Sequence, residues 1–214
     1  MIHCIGDSHS AVFSGEEKMQ PIWPQPSNDK LPYFRSYRIG AATAYQLENK
    51  IPIINDIINK RINKEIDKIL FCFGEVDIRA HLKKQMDLQK VSAENIVKEC
   101  VDRYFQVILT YKNNGVKVLV WGPIASWHDS KPYTGGPSFG SNLERNELTK
   151  LFNEYIKELC DKNGIGFISI FNHMVNSNNE TKAEYLDDWK GSHIHLSQRS
   201  MDLILNEFKK QNLL

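Results

Sequence analysis

Cysteine is scarce in this chain of 214 residues, and the cysteines that occur form no Cys-x-x-Cys pair. The four of them lie among apolar neighbours, at Cys4, Cys72, Cys100 and Cys160. The pattern predicts small buried side chains and excludes both a paired-cysteine metal site and a disulfide framework. Histidine and aspartate also lack the spacing of a ligand cluster, so we expect neither a metal nor any other cofactor.

An excess of either charge is absent as well. Lysine and arginine total 27 against 26 aspartates and glutamates, which gives a net charge of +1. Without a basic stripe, nucleic acid is not an expected partner. The longest apolar runs are too short to span a membrane, and no leader-like segment precedes the first predicted strand at Ile2, so we expect a cytoplasmic protein.

What is present suits a single globular domain over residues 1–214, with a hydrophobic fraction of 41%. Short apolar runs typical of strands alternate with amphipathic or capped segments typical of helices. This alternation predicts an α/β fold with three α/β/α layers around a central, mostly parallel sheet of about five strands. The predicted strands begin at Ile2 and then cover 33–39, 66–73, 116–121 and 167–170; the predicted helices cover 10–18, 40–48, 53–65 and 91–114, and two more are opened by Ser141 and Ser197.

Polar clusters follow four of the predicted strands, at Gly6–Ser10, at Gly40, at Gly74–His81 and after Gly122. In open parallel sheets, ligands bind beyond the carboxyl ends of the strands. The sequence therefore predicts a site at this edge of the sheet.

Ser8 lies on the turn between the first predicted strand and the next helix. A hydroxyl there is well placed as the nucleophile of an acyl-transfer enzyme, because N–H groups at a helix start can receive negative charge. The same Gly-Asp-Ser sequence also suits an ordinary turn closed by a capping serine. A nucleophilic serine needs a base, and His193 and His195 lie in a loop that could reach this turn.

The chain resembles the SGNH (GDSL-like) hydrolase family over nearly its whole length. The four blocks that carry the resemblance are Gly6-Asp7-Ser8, Gly40, Gly74-Glu75-Val76-Asp77 in the place of Gly-x-Asn-Asp, and His195-Leu196-Ser197. The resemblance implies a flavodoxin-like sheet and an acyl-enzyme formed on Ser8, with His195 as the base. It also implies that the N–H groups of Ser8 and Gly40 donate to the oxyanion.

The third oxyanion donor of that family is an asparagine, and Val76 stands in its place. Glu75 and Asp77 flank this position, and a bare carboxylate would repel an oxyanion. Arg79 could neutralise these carboxylates or donate a hydrogen bond itself. We therefore take Gly40, Glu75, Asp77 and Arg79 as the predicted oxyanion and substrate-binding residues.

The acid of the family stands three residues before its histidine, where this chain has Ser192. We take Asp188 as the predicted acid, with Asp187 or a simple Ser–His dyad as the alternatives. A different register would make His193 the base, five residues after Asp188. We favour His195, because a helix entry follows it directly.

Together these residues predict a serine esterase or O-acyltransferase that acts on a small acyl group such as acetyl, with a small-molecule or carbohydrate ester as partner. We expect a carbohydrate substrate because residues 73–81 resemble a variant block from a family branch associated with bacterial surface-polysaccharide loci. The missing asparagine and displaced acid suggest an alternative, a non-catalytic carbohydrate-binding or scaffold protein on the same fold.

Overall fold

A computed structural model describes residues 1–131, 136–187 and 193–214, and its centre is a five-stranded sheet. Every pair of neighbouring strands is parallel, and the strand order is β2-β1-β3-β4-β5. This confirms the predicted α/β fold with its parallel sheet. The strands are β1 (Ile2–Gly6), β2 (Phe34–Arg38), β3 (Lys68–Cys72), β4 (Lys117–Trp121) and β5 (Gly166–Ile168).

Helices of three kinds connect and cover these strands. The α-helices are α1 (Ile51–Arg61), α2 (Glu75–Asp77), α3 (Lys83–Gln89), α4 (Ala93–Asn113), α5 (Asn142–Lys162), α6 (Phe171–Met174) and α7 (Met201–Lys210). A π-helical turn, Ile78–Leu82, joins α2 to α3. Short 3-10 helices cover Ser8–Ser14, Leu47–Lys50, Ala183–Tyr185 and Gln198–Ser200.

The sheet carries one hydrophobic core on each face, because alternate residues of a strand point to opposite sides. In β3, Ile69 and Phe71 belong to the core that includes side chains of α1, α4 and α5. Leu70 and Cys72 belong to the other core, which includes side chains of the first 3-10 helix, α6 and α7. The two cores and the sheet between them make the three predicted layers.

Two predicted helices differ from the structure. The first begins at Ser8 rather than residue 10, since the buried Asp7 side chain caps it directly after β1, and it ends at Ser14 rather than residue 18. The segment after Gly40 forms no helix until Leu47, because Gly40 itself has a φ of +87°. By contrast, the capping box predicted at Ser141 is present and opens α5.

The order of the strands determines where on the sheet a ligand-binding crevice forms. The chain moves outward from β1 to β2 on one side and from β3 to β5 on the other, so the direction of winding changes between β1 and β3. A crevice forms outside the carboxyl ends of the strands at such a switch point. Ser8 follows β1 and Glu75 follows β3, which places both residues beside this crevice.

Candidate active site

Ser8 is the first residue of the 3-10 helix that follows β1. The Asp7 side chain fixes this turn by accepting a hydrogen bond of 2.8 Å from the His9 backbone N–H. Gly6 allows the helix and β3 to approach, because a Cβ there would lie 2.6 Å from the Cys72 carbonyl oxygen and 2.9 Å from the Ser10 Cβ. The Gly-Asp-Ser sequence therefore builds a tight strand-to-helix turn that ends on the Ser8 hydroxyl.

His195 is the partner of that hydroxyl. Its Nε2 lies 2.9 Å from Ser8 Oγ, so the proximity predicted from the sequence is present. The loop that carries His195 is fixed to the amino-terminal region through Glu17, whose carboxylate accepts hydrogen bonds from the Ser197 hydroxyl and the Gln198 backbone N–H. Ser197 also caps the 3-10 helix before α7, as predicted, by accepting from the Arg199 N–H.

Asp187 lies next to the second ring nitrogen of His195. Asp187 Oδ2 lies 3.7 Å from His195 Nδ1, and the Asp187 side chain is largely buried. The two residues meet because segments 185–187 and 195–197 pair antiparallel: the Asp187 N–H donates to the His195 carbonyl oxygen, and the Ser197 N–H donates to that of Tyr185.

The other sequence-based assignments fare differently. Asp188, the predicted acid, lies outside the described residues and stays a prediction, whereas its alternative Asp187 is the aspartate found beside His195. His193, the alternative base, lines a separate surface cavity with His128 and Arg199. Ser8 instead shares a small depression with Asp187 and His195.

The environment of His195 favours its neutral form. Burial lowers the pKa of its ring below the ordinary value, and the nearby His9 acts in the same direction. Asp187 opposes these effects without reversing them. A ring that stays neutral near neutral pH is able to accept a proton from the Ser8 hydroxyl.

Two backbone N–H groups lie near Ser8 without an internal acceptor. The loop that holds Gly40 is attached to the turn, since the Ile39 N–H donates to the Gly6 carbonyl oxygen at 2.9 Å. Neither the Ser8 nor the Gly40 N–H donates a hydrogen bond to an atom in the described part of the chain. Their role as oxyanion donors stays a prediction.

The Asp77 side chain fixes the loop that follows β2, which also contains Gly40. Its carboxylate accepts hydrogen bonds from the Ala44 N–H at 2.6 Å and the Tyr45 N–H at 3.0 Å. Burial raises the pKa of Asp77 to about 7, although these hydrogen bonds oppose the shift. The acidic residue after β3 thus fixes the loop that follows β2.

The Glu75 carboxylate forms ion pairs with two buried side chains, those of His9 and Arg79. Its Oε2 lies 2.7 Å from His9 Nε2, and its Oε1 lies 2.7 Å from Arg79 Nε. Burial by itself would raise the pKa of Glu75, but the charges of His9 and Arg79 hold it well below its usual range. Burial also disfavours a charged His9, yet Glu75 outweighs it and raises the pKa of His9 above the ordinary value.

No protein-family model and no curated protein matches this chain significantly, but solved structures do. A GDSL-like lipase from Bacteroides thetaiotaomicron is 15% identical, with a TM-score of 0.58 over 98% of this chain and 86% of that one. An acetyl xylan esterase from Geobacillus stearothermophilus, solved as a variant, is 13% identical, with a TM-score of 0.57 over 98% and 93% of the two chains. The acetyl xylan esterase AlAXEase is 14% identical, with a TM-score of 0.55 over 99% of each chain.

This chain has the SGNH/GDSL-like hydrolase fold. Among its described residues, no group of three or more His, Cys, Asp or Glu side chains is arranged to hold a metal ion. Within the same residues, none of the helices is both long and apolar enough to cross a membrane.

On this SGNH-like fold, three of the predicted substrate-binding side chains serve another purpose. Glu75, Asp77 and Arg79 are each at most 6% exposed, and each bonds to groups inside the protein. Arg79 also donates to the Pro137 carbonyl oxygen. These side chains bond to groups inside the protein instead of facing a substrate, which corrects the interpretation drawn from the sequence; the predicted oxyanion role of Gly40, which is buried, stays a prediction.

The sequence reading missed His9, which lies under the site. A signal was available, because a carboxylate directly after a buried strand, such as Glu75, needs a cationic partner once it is buried. Arg79, four residues later on the adjoining helical turn, already provided such a partner for Glu75. Nothing local in the sequence indicated that a second cation would come from the turn after β1.

Proposed function

We propose that this protein is a serine-dependent esterase that removes or transfers a small acyl group, such as acetyl, through an acyl-enzyme on Ser8. The observation that carries the proposal is the distance of 2.9 Å between Ser8 Oγ and His195 Nε2, at the strand-end crevice of an SGNH-like fold. Asp187, close to the other ring nitrogen of His195, completes a serine–histidine–aspartate arrangement.

Acylation begins when Ser8 Oγ attacks the carbonyl carbon of the ester and His195 Nε2 accepts the hydroxyl proton. The carbonyl oxygen becomes an oxyanion as the tetrahedral intermediate forms. Collapse of this intermediate breaks the bond to the leaving oxygen, which takes the proton from His195 and departs as an alcohol. Asp187 stabilises the His195 ring while it carries that proton.

Deacylation repeats these steps with a second nucleophile. Water, or a sugar hydroxyl in a transferase, attacks the acyl carbon while His195 accepts its proton. The Ser8 oxygen then leaves with that proton, and the free hydroxyl is restored. The same residues therefore serve hydrolysis and transfer, which differ only in the acceptor.

The oxyanion is stabilised in this proposal by the N–H groups of Ser8 and Gly40. Both are without an internal acceptor in the described part of the chain. Each missing donor typically costs about 10²- to 10³-fold in rate. Because Val76 replaces the expected asparagine, we expect a slower esterase than one with three donors.

The acyl group and its carrier are inferred from the structurally similar proteins. Two of the structurally similar proteins are acetyl xylan esterases, which supports acetyl as the group and a carbohydrate as its carrier.

Turnover of p-nitrophenyl acetate tests the proposal. We expect the wild type to release p-nitrophenol and Ser8→Ala to lose at least about 10³-fold in kcat, because the nucleophile is gone. Ser14→Ala is the matched control, since Ser14 lies in the same 3-10 helix and its hydroxyl bonds backbone groups of that turn, donating to the Ala11 carbonyl oxygen and accepting from the Glu16 N–H. Wild-type protein without turnover would favour the alternative of a carbohydrate-binding or scaffold protein.

Acceptor competition separates the hydrolase from the transferase. An acetylated xylo-oligosaccharide serves as donor and an unacetylated sugar as acceptor, and mass spectrometry follows the acetyl group. Free acetate as the main product supports hydrolysis, whereas an acetylated acceptor supports transfer.

A further inference from the structure

We propose that His9 is a positioning residue for His195: its protonated ring, held by Glu75, lies against the His195 ring and sets the pH range in which that ring accepts a proton. This inference rests on the proposed function, because it assigns a role to His9 through the proposed base.

The first observation is the contact between the two rings. The ring centroids of His9 and His195 lie 4.7 Å apart, and the ring planes are inclined by 39°. His9 is 7% exposed, and the His195 side chain is 12% exposed. Water therefore screens little of the interaction between the two rings.

The second observation is the group that fixes the charge of His9. Glu75 Oε2 lies 2.7 Å from His9 Nε2, and the same carboxylate also bonds Arg79. A carboxylate at this distance inside a protein favours the imidazolium form. Asp7, whose carboxylate accepts from the His9 backbone N–H, adds a second negative group on the same turn, while Arg79 opposes protonation from the π-helical turn.

The third observation is the long distance between His195 Nδ1 and the Asp187 carboxylate. Its Nδ1 is 3.7 Å from Asp187, which is longer than a hydrogen bond, while its Nε2 is 2.9 Å from Ser8. The groups that face this ring are therefore Ser8, Asp187, the His9 ring and, behind His9, Glu75. The contact with His9 restricts rotation of a ring that Asp187 alone does not fix.

The consequence follows from charge. A protonated His9 disfavours a second positive ring beside it, so His195 stays neutral to a lower pH than it would alone. Once His195 has accepted the Ser8 proton, the same repulsion makes it a stronger acid towards the leaving alcohol. The charge on His9 thus keeps His195 in the neutral form that the first proton transfer needs and favours the second transfer, while it lowers the basicity of the His195 ring.

Nuclear magnetic resonance of ¹⁵N-labelled histidine rings tests this inference without relying on turnover. Spectra are recorded from about pH 4 to 9, and His195→Gln and His9→Gln identify the two signals. In the wild type we expect His9 to stay protonated above the ordinary pKa of about 6.5 and His195 to lose its proton below it. A neutral His9 ring near pH 7 overturns the inference.

The His9→Gln variant gives the second readout. Glutamine is polar but carries no charge, so we expect the His195 titration to move up by roughly 0.5 to 1 pH unit. The acidic limb of kcat/KM for p-nitrophenyl acetate should move in the same direction. An unchanged His195 titration in a folded His9→Gln protein would contradict the proposal.

The control is His173→Gln, because His173 is an exposed histidine of α6 that pairs with Glu207. We expect it to leave the His195 titration where it is in the wild type. If the ring signals behave as expected while turnover is absent, the electrostatic role of His9 stands and the proposed esterase activity fails. If turnover is present without the shift, only the role of His9 fails.

Discussion

His9 and His195 are neighbours whose surroundings act on them in opposite ways. Both are buried, yet the pKa of His9 is raised and that of His195 is lowered. His9 has the Glu75 carboxylate at 2.7 Å, whereas His195 has the Asp187 carboxylate at 3.7 Å and a hydroxyl at 2.9 Å. The close Glu75 carboxylate raises the pKa of His9 against the effect of burial, whereas burial prevails over the more distant Asp187 at His195.

This difference separates two tasks. A ring held in one protonation state can support its surroundings but cannot cycle a proton. A ring whose neutral form is favoured can take a proton and return it, as the proposed mechanism requires of His195. Pairs of titratable groups whose pKa values are pushed apart often divide roles in this way.

Replacing His195 should give the largest effect on activity. We expect His195→Gln to lower kcat for p-nitrophenyl acetate by roughly 10³- to 10⁴-fold, because the proposed base is removed. The free energy of unfolding, measured with urea, should change by much less than the activation free energy that corresponds to this loss of rate. A variant that keeps most of its turnover would show that another group accepts the Ser8 proton.

Replacing Glu75 should instead give the largest effect on stability. Glu75→Ala leaves His9 and Arg79 as buried charges without their shared carboxylate, so we expect a loss of about 3–5 kcal/mol in the free energy of unfolding. Urea denaturation measures it.

Glu158→Ala is the matched control for Glu75→Ala. Glu158 also has a cation four residues later, Lys162, but both side chains are more than half exposed. Such exposed pairs contribute about 0.3–0.5 kcal/mol. Equal losses in the two variants would contradict the view that the network around Glu75 is a buried unit.

Asp187 should matter less than His195, because it stands farther from the ring than a hydrogen bond allows. We expect Asp187→Asn to lower kcat/KM by roughly 10- to 100-fold, below the 10⁴-fold loss seen where the aspartate bonds its histidine directly. Asp188→Asn, measured in parallel, distinguishes the two assignments of the acid. A larger loss in Asp188→Asn than in Asp187→Asn would return the role to Asp188.

The smallest predicted effect is on the pH dependence of stability. Burial raises the pKa of Asp7 to about 6 and that of Asp77 to about 7. Between the unfolded value of about 4 and these values, the folded protein holds protons that the unfolded chain has released, so stability falls as pH rises. The raised pKa of His9 acts in the same direction, since its stabilising charge is lost as pH rises through the folded value.

Glu75 has the opposite sign. Its pKa is lowered, so its contribution is present above the unfolded value and is lost as pH falls. We therefore expect greatest stability near pH 4 to 5 and a progressive loss as the pH rises to 8, measured by urea denaturation. Asp77→Asn should flatten this alkaline slope, and an unchanged slope would contradict the assignment to Asp77.

The sequence predicted what short segments determine. The capping box at Ser141 and the buried run of β3 are local signals, and both appear in the structure. The closeness of Ser8 and His195 was predictable through the family resemblance, although 187 positions separate them.

What the sequence could not predict depends on contacts between distant segments. Asp187 reaches His195 through an antiparallel pairing, which a fixed three-residue spacing does not describe. Glu17 likewise bonds Ser197 and Gln198, which lie at the other end of the chain. The partnership of His9 with Glu75 likewise depends on the neighbouring positions of β1 and β3.

Reaction with a fluorophosphonate, followed by intact-mass and peptide mass spectrometry, tests most directly the claim that Ser8 is a nucleophile activated by His195. We expect a single adduct on Ser8 in the wild type, none in Ser8→Ala, much slower labelling in His195→Gln, and unchanged labelling in Ser14→Ala. A wild-type protein that takes up no label across the pH range, or an adduct that persists in Ser8→Ala, would contradict it.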